Sequence, residues 1–250
     1  TDRSAGLVND PLYVKALVLD NGITKMAIIT LDVVAIEEIG PIKAGYLAKV
    51  RSQIQEELNI QASNILINVS HCHGIVRADT DSLTVGAVKE ALQNLVAVTI
   101  GSGSGYEDRI MENRRYWMKD GSQTDARRAY SLPPDHEIAE IGKTDPEIGI
   151  LRLNKLNGET LAVLYNFAVH PIEGVPNGGN TADIIGFASK VIEDNLKGSM
   201  ALFLQGCGGD INPVNYKGLD NPTDAEPLGN MLGLSILNAY KTFKQQMTQK

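Results

Sequence analysis

The chain has 250 residues, of which 43% are hydrophobic and 21% charged, and its formal net charge at pH 7 is −7. This composition is typical of a globular protein that buries a large core, and its cationic residues are spread along the chain, which argues against nucleic acid as a partner. The sequence has no apolar run of about 20 residues, so it predicts no transmembrane segment.

The first third of the chain alternates predicted strands with helices. Residues 11–32, PLYVKALVLDNGITKMAIITLD, indicate two apolar strands joined by a tight turn at residues 20–22. Pro41 opens a predicted helix whose apolar residues fall near one face. Residues 64–70, NILINVS, predict a further buried strand. Alternation of strand, helix and strand is typical of an α/β sheet.

The middle of the chain is less regular. Residues 83–95, LTVGAVKEALQNL, have the apolar spacing of a helix. A strand is predicted to follow, and the GSGSG segment at residues 101–105 is interpreted as a flexible turn after it. Residues 106–146 are polar, aromatic and rich in arginine, without clear periodicity. We expect a long surface excursion here; this length usually indicates a lid or a binding loop, or else an element that the pattern does not reveal.

The last hundred residues return to strands and helices. Residues 148–154 and 160–170 predict a hairpin, and residues 200–207 predict a short buried strand. Helical patterns occupy residues 184–196 and 226–243. No internal repeat or linker divides the sequence. We therefore predict a single α/β domain over residues 1–250, with a central mixed β-sheet flanked by α-helices.

Three of the predicted strands are followed directly by residues that could form a catalytic or metal-binding site. They end at His71-Cys72-His73, at His170 and at the glycine-rich segment 206–210. Because ligands bind at the carboxyl ends of strands in α/β sheets, these ends are candidates to converge. Strand alternation would put His71 and His73 on one face and Cys72 on the other. Imidazole is a common zinc ligand, although each histidine could equally be a satisfied core or surface residue.

Six motifs in one order resemble the catalytic domain of the neutral, or alkaline, non-lysosomal ceramidases and their bacterial relatives. The motifs are NVSHCHG, ENRR, DPEIGILRL, NFAVHP, TADIIGFASKVIE and LFLQGCGGDINP. The resemblance covers nearly the whole chain, from residue 10 to the last helix. It implies a secreted or periplasmic zinc-dependent hydrolase of sphingolipid metabolism that cleaves an amide bond in a lipid-like substrate.

The resemblance also implies roles for individual residues. His71 and His170 would bind the zinc, and His73 would lie beside the metal and act on proton transfers. Arg114, in the ENRR motif, would contact substrate. The family's remaining ligands, a glutamate and a tyrosine, come from motifs further along than residue 250, so a C-terminal domain or a second chain would complete the metal site.

Two departures from the ceramidase pattern affect the expected substrate. Asn212 occupies the place of a serine in the family's GDxSP motif, so it would at most orient or hydrogen-bond the substrate, and ceramide becomes doubtful. Gly74 replaces the serine of the HxHS pattern, which predicts a different pocket rim. Two rival readings stay open. One is a metal-dependent esterase on the same fold, and the other is a non-catalytic binding domain with a degenerate metal site.

Several nearby residues have equally good structural explanations. Asp183 and Asp210 either hydrogen-bond to a ligand histidine without binding the metal, or act as helix cap and turn residues. Cys72 and Cys207 are more in keeping with packing than with metal binding. The glycines of segment 206–209 fit a backbone that closely approaches a ligand or another strand. His136 is expected to be exposed.

Overall fold

The structure is a computed structural model that describes residues 7–37, 39–126, 132–175, 179–214, 216–218, 220 and 223–242. The strands are β1 (Val14–Asp20), β2 (Lys25–Leu31), β3 (Ile65–Val69), β4 (Val98–Tyr106), β5 (Met111–Asn113), β6 (Arg115–Met118), β7 (Gln123–Asp125), β8 (Ile138–Ile141), β9 (Glu147–Lys155), β10 (Thr160–Phe167), β11 (Met200–Gln205) and β12 (Ile211–Pro213). The helices are α1 (Tyr46–Leu58), α2 (Thr80–Gln93), α3 (Asp183–Asn195) and α4 (Ala225–Thr242). Among these helices, none has both the length and the apolar character needed to cross a bilayer.

Two mixed sheets form the centre of the molecule. The first has the order β1-β2-β3, and the second has the order β11-β10-β9-β4. Each combines one parallel pair with antiparallel neighbours. An apolar cluster with members from both sheets packs between them; its buried residues are Leu17, Ile28, Leu153, Ala162, Leu164 and Leu202. The predicted α/β class, with mixed sheet structure flanked by helices, is confirmed, and the central strands divide into two sheets.

Helices cover the outer face of each sheet. The first sheet packs against α1 and α2, and α1 supplies Tyr46, Val50, Ile54 and Leu58, which recur every fourth residue along one face. The second sheet packs against α3 and α4 through Tyr165, Phe203 and their neighbours. Burial of each large side chain contributes roughly 1.5–3 kcal/mol. The result is four layers, with helices outside and sheets inside.

The strand β11 lies at the edge of its sheet, and side chains bind its outer backbone groups. Glu193 accepts a hydrogen bond from the Ala201 N–H at 2.9 Å, and Lys15 donates to the Ala201 carbonyl at 3.0 Å. The Asn68 amide donates to the Phe203 carbonyl at 2.9 Å. These contacts connect β11 to β1, β3 and α3, so the two sheets are joined by side chains at this edge.

Two local predictions were wrong. The helix predicted to open at Pro41 begins at Tyr46, because Gly45 has a positive φ of 90° and interrupts any helix before it. The GSGSG segment is part of β4 and pairs with β9 along its whole length. Gly105 lies where an added Cβ would be 2.8 Å from Ala239 of α4. The small residue allows this helix to pack closely against the strand.

The predicted surface excursion contains structure of its own. Within residues 106–146, β5 pairs with β12 and β6 pairs with both β7 and β8. Ile110 and Tyr116 are buried there at 0% and 2% exposure. These strands have only three or four residues each, too few for a periodic pattern to be detected. Residues 127–131 of the excursion lie outside the described residues.

Candidate metal centre

Three histidines meet beyond the carboxyl ends of β3 and β10. One nitrogen from each of His71, His73 and His170 can be chosen so that all three atoms lie within 4.8 Å of one another. The ring centroids of His71 and His170 are 4.5 Å apart, whereas His73 lies 5.5 and 5.8 Å from these two rings. The three rings therefore form a close pair with a third ring beside it.

The His71 ring is oriented by main-chain carbonyls that follow β2. Its Nδ1 lies 2.5 Å from the Val34 carbonyl, and since a carbonyl only accepts hydrogen bonds, Nδ1 carries the proton. The lone pair of the neutral ring is then on Nε2, which faces Nε2 of His170 at 3.1 Å. This is the arrangement found in metal-binding histidines, where a second partner fixes the tautomer.

The backbone turns sharply at His71, which has a positive φ of 64°. Strand β3 already ends at Val69, so strand alternation does not explain why His71 and His73 lie together. Cys72 is fully buried against Leu12 and Ala182. The expected grouping is present, but its cause is this left-handed turn.

The glycine-rich turn after β11 fixes the position of His170. A Cβ on Gly206 would lie 2.9 Å from the Phe167 backbone, and one on Gly208 would lie 2.8 Å from the Val169 carbonyl. The backbone N–H of His170 donates to the carbonyl of Ile211 at 2.8 Å. The close approach is therefore to the neighbouring strand, which is one of the two explanations that the sequence left open.

The surroundings of His170 and His73 favour neutral rings. Burial, followed by the charges of His71, His73 and Arg114, lowers the pKa of His170 to about 4. Burial and the neighbouring His71 also lower the pKa of His73. Neutral imidazole is the form that binds metal ions. At neutral pH these two histidines are therefore available as ligands or as a proton acceptor.

The histidine group fits a zinc ion. Two nitrogens bound to one tetrahedral zinc at about 2.05 Å lie about 3.3 Å apart, and the separation between the Nε2 atoms of His71 and His170 is 3.1 Å. The tautomer of His71 is fixed by Val34, which leaves its Nε2 lone pair free to bind a metal ion. The donor set consists of imidazole nitrogens, which suit zinc better than calcium or magnesium.

Arg114 lies between β5 and β6, beside the glycine-rich turn. Its backbone N–H donates to the Asp210 carbonyl at 2.9 Å. Its Nε lies 3.0 Å from Oδ1 of Asp125, and its side chain is 14% exposed. Its charge contributes to the lowered pKa of His170. The structure thus brings Arg114 within electrostatic range of the histidines.

Asn212 is more deeply buried than its predicted role in substrate binding suggests. It lies on β12, is 2% exposed, and has an Oδ1 atom with no hydrogen-bond partner among the residues that the structure describes. Its Nδ2 donates to the Ala126 carbonyl over a long 3.5 Å. Direct contact with a substrate therefore requires this part of the site to open.

The two aspartates predicted near the ligands hold the backbone in place. Asp183 accepts hydrogen bonds from the N–H groups of Glu173 and Gly174 at 3.1 and 2.7 Å, and from that of Ile184. It therefore ties the segment after His170 to the start of α3. The Asp210 carboxylate accepts a hydrogen bond from the Asn113 amide at 3.1 Å. Both aspartates thus hold neighbouring segments of the chain together, while the N-cap residue of α3 is Ala182, which makes no side-chain cap hydrogen bond.

Among the residues that the structure describes, the remaining candidates are not part of the histidine group. Cys72 is buried and Cys207 exposed, both as free thiols, and His136 is exposed as predicted, with 81% of its side chain accessible. Sequence reasoning missed the Val34 carbonyl and Asp125. A main-chain carbonyl leaves no signal in the residue types, and Asp125 lies in the excursion whose short strands were not recognised.

The fold is similar to solved structures of ceramidases. No family model matches the sequence. Among solved structures, the neutral ceramidase from Pseudomonas aeruginosa superposes with a TM-score of 0.72, and a ceramidase complexed with C2 superposes with a TM-score of 0.71. Both are 16% identical to this chain, and 96% of this chain is matched to 40% of theirs. The chain therefore has the fold of a part of the neutral ceramidases and spans about 40% of their length.

Proposed function

We propose that the protein is a zinc-dependent hydrolase that cleaves an amide bond in a lipid-like substrate. The observation that carries this proposal is the pair of Nε2 atoms of His71 and His170, which face each other at 3.1 Å. The fold shared with neutral ceramidases supports the same class of reaction. In this proposal, His71 and His170 hold the zinc, and His73 stays beside it as the acid and base.

When bound, zinc supplies Lewis-acid chemistry, because it acidifies water and polarises a carbonyl group. The protein's own residues carry out the proton transfers. His73 is the most exposed of the three histidines, and its lowered pKa keeps the ring neutral at neutral pH. It can accept a proton from the attacking water and return that proton to the nitrogen as the C–N bond breaks. The products are a carboxylic acid and an amine.

Arg114 and Asn212 are the proposed substrate contacts. A guanidinium is permanently charged and presents a planar fork of donors, which suits a carbonyl or carboxylate oxygen. A carboxamide can donate or accept a hydrogen bond but cannot serve as the nucleophile that a serine provides. Because Asn212 stands where the ceramidase pattern has serine, an amide other than ceramide is the better candidate substrate.

Zinc content and hydrolysis test the proposal together. Purified protein incubated with zinc and then dialysed should retain about one zinc per chain by elemental analysis. It should hydrolyse a fluorogenic N-acyl amide, lose this activity with a chelator and regain it with zinc. A matched ester probe separates amidase from esterase activity. Folded protein that takes up no zinc would contradict the proposal and favour the non-catalytic binding domain.

We also propose that a C-terminal domain or a second chain supplies the remaining metal ligands. The proposal rests on the resemblance to ceramidases, together with the 40% of their length that this chain matches. X-ray absorption spectroscopy of the zinc-loaded chain should then find histidine nitrogens and solvent oxygens as the only ligands. A complete set of protein ligands would contradict it. On the same resemblance, we propose a secreted or periplasmic location, which fractionation of the native host would test.

A further inference from the structure

We infer that Asp125 is a positioning residue that fixes the direction of the Arg114 guanidinium and so controls how tightly the substrate binds. The inference rests on the proposed function, which assigns Arg114 to the substrate pocket. The inference assigns a role to the excursion at residues 106–146, which contains both Arg114 and Asp125. The hairpin β6–β7 folds back so that an acidic residue at the end of β7 meets the arginine that precedes β6.

The ion pair between these two side chains is partly shielded from solvent. Nε of Arg114 lies 3.0 Å from Oδ1 of Asp125, and the two side chains are 14% and 21% exposed. Screening by salt is weaker for such a pair than for surface charges. A carboxylate this close to a rigid, planar guanidinium restricts the directions that the guanidinium can take. Arg115 approaches the other oxygen of Asp125 at 3.6 Å and is 47% exposed, so it is the weaker partner.

The backbone of Arg114 is also held, from two directions. Its N–H donates to the Asp210 carbonyl at 2.9 Å, and its carbonyl accepts from the Ala126 N–H at 2.6 Å. His170 donates to the carbonyl of Ile211, the residue after Asp210. Arg114 and His170 are thus attached to consecutive residues of one turn. With the backbone fixed, the direction of the guanidinium depends on the side-chain torsions, and the Asp125 contact restricts these.

The test compares Asp125→Asn with Arg115→Ala in the zinc-loaded protein. Asp125→Asn removes the charge that orients Arg114 and nearly preserves shape, whereas Arg115→Ala removes only the weaker partner. The first readout is the ¹⁵N–¹H signal of the Arg114 Nε–H, identified by its disappearance in Arg114→Lys. It should be sharp in the wild type and in Arg115→Ala, and broadened or shifted in Asp125→Asn.

The second readout is steady-state hydrolysis of the fluorogenic amide. Loss of this ion pair should raise KM about tenfold in Asp125→Asn while kcat changes little. Asp125→Glu should recover part of this loss because it keeps the charge, and Arg115→Ala should match the wild type. Combining Asp125→Asn with Arg114→Lys should add little to the effect of Arg114→Lys alone, since both changes remove the same interaction.

The possible failures are distinguishable. An Asp125→Asn variant with an unchanged Nε–H signal overturns the inference, and so does one that melts earlier but keeps its KM. If Asp125→Asn alters the signal but Arg114→Lys leaves KM unchanged, Asp125 orients Arg114 and Arg114 does not contact substrate. That result contradicts this part of the proposed function. A zinc-loaded wild type that hydrolyses nothing contradicts the hydrolase itself, and the Nε–H signal still decides whether Asp125 orients Arg114.

Discussion

The Nε2 atoms of His71 and His170 lie 3.1 Å apart, although 99 positions separate the two residues along the chain. Each is held by main-chain groups: the Val34 carbonyl binds the His71 ring, and the Ile211 carbonyl binds the His170 backbone. The pair is therefore organised by the fold itself. A cation that binds there meets ligands already in position, so little ordering entropy remains to oppose binding.

We expect His71→Ala and His170→Ala to lose zinc while the protein stays folded. Loss of a residue that only hydrogen-bonds to a metal ligand weakens metal binding roughly 10–100-fold. Loss of a ligand itself should weaken zinc binding by more than that. Elemental analysis of zinc-loaded, dialysed protein measures the effect, and circular dichroism checks the fold. His136→Ala is the matched control, because that side chain is 81% exposed. Wild-type zinc content in both variants would defeat the assignment.

Gly208→Ala should destabilise the protein and Gly209→Ala should not. A Cβ on Gly208 would lie 2.8 Å from the Val169 carbonyl, whereas one on Gly209 meets no atom within 4 Å. Forcing the turn away from the strand should cost about 1–3 kcal/mol. Urea denaturation gives the free energy of unfolding of each variant. Because Val169 precedes His170, Gly208→Ala should also weaken zinc binding, and equal stability of the two variants would contradict the close-approach explanation.

Asn212→Ala should have small effects on both stability and turnover. The loss of a 3.5 Å hydrogen bond is offset by removal of a buried oxygen that has no partner in the described part of the chain, so we expect a change in the free energy of unfolding below about 1 kcal/mol. The kcat/KM should fall by about tenfold at most, and no acyl-enzyme burst should appear. Thermal denaturation and stopped-flow hydrolysis measure these quantities.

The same position tests how far the ceramidase resemblance extends. Wild-type protein should hydrolyse ceramide poorly, and Asn212→Ser should improve this activity by restoring the hydroxyl of the family pattern. Rapid ceramide hydrolysis by the wild type, with no gain in Asn212→Ser, would contradict our claim that Asn212 redirects specificity. Metal content should be the same in both proteins, which separates a substrate effect from a site that has failed to load.

Asp183 should make stability depend on pH in the acidic range. Burial raises its pKa to about 6 from the usual 3.8, against the opposing hydrogen bonds from backbone N–H groups. The folded state therefore binds more protons than the unfolded state between these two values, so the contribution of Asp183 to stability is greatest below pH 4 and falls as pH rises towards 6. The full difference is on the order of 3 kcal/mol.

Asp183→Asn provides the comparison for this pH dependence, because an amide does not titrate. The wild-type free energy of unfolding minus that of the variant should decrease from about pH 4 to pH 6 and stay level above that range. Urea denaturation at a series of pH values measures the difference. A difference that grows with pH would mean that the backbone hydrogen bonds outweigh burial and hold the pKa of Asp183 low.

The sequence was most informative where hydrophobic periodicity ran over long segments. The hairpins β1–β2 and β9–β10 and the helices α2, α3 and α4 match the predictions, because each has several turns or alternations of apolar residues. The grouping of His71, His73 and His170 also followed from the positions of strand ends. Their roles as zinc ligands and proton acceptor stay predictions.

Features that depend on long-range contacts were missed. The GSGSG segment has low strand propensity, and its pairing with β9 overrides that preference. Division of the strands into two packed sheets depends on which faces meet, as Leu17 and Leu202 do, and a single sequence does not contain that information. Asp125 was overlooked because its partner, Arg114, lies across a hairpin of very short strands.

The side chains that bind the outer edge of β11 also bear on the solubility of the protein. The strand MALFLQ is largely apolar, and an apolar edge strand can recruit strands from other molecules. Lys15 and Glu193 already bind both polar groups of Ala201, and Asn68 binds the Phe203 carbonyl. A neighbouring molecule would have to displace these contacts before it could add a strand, so this edge resists aggregation.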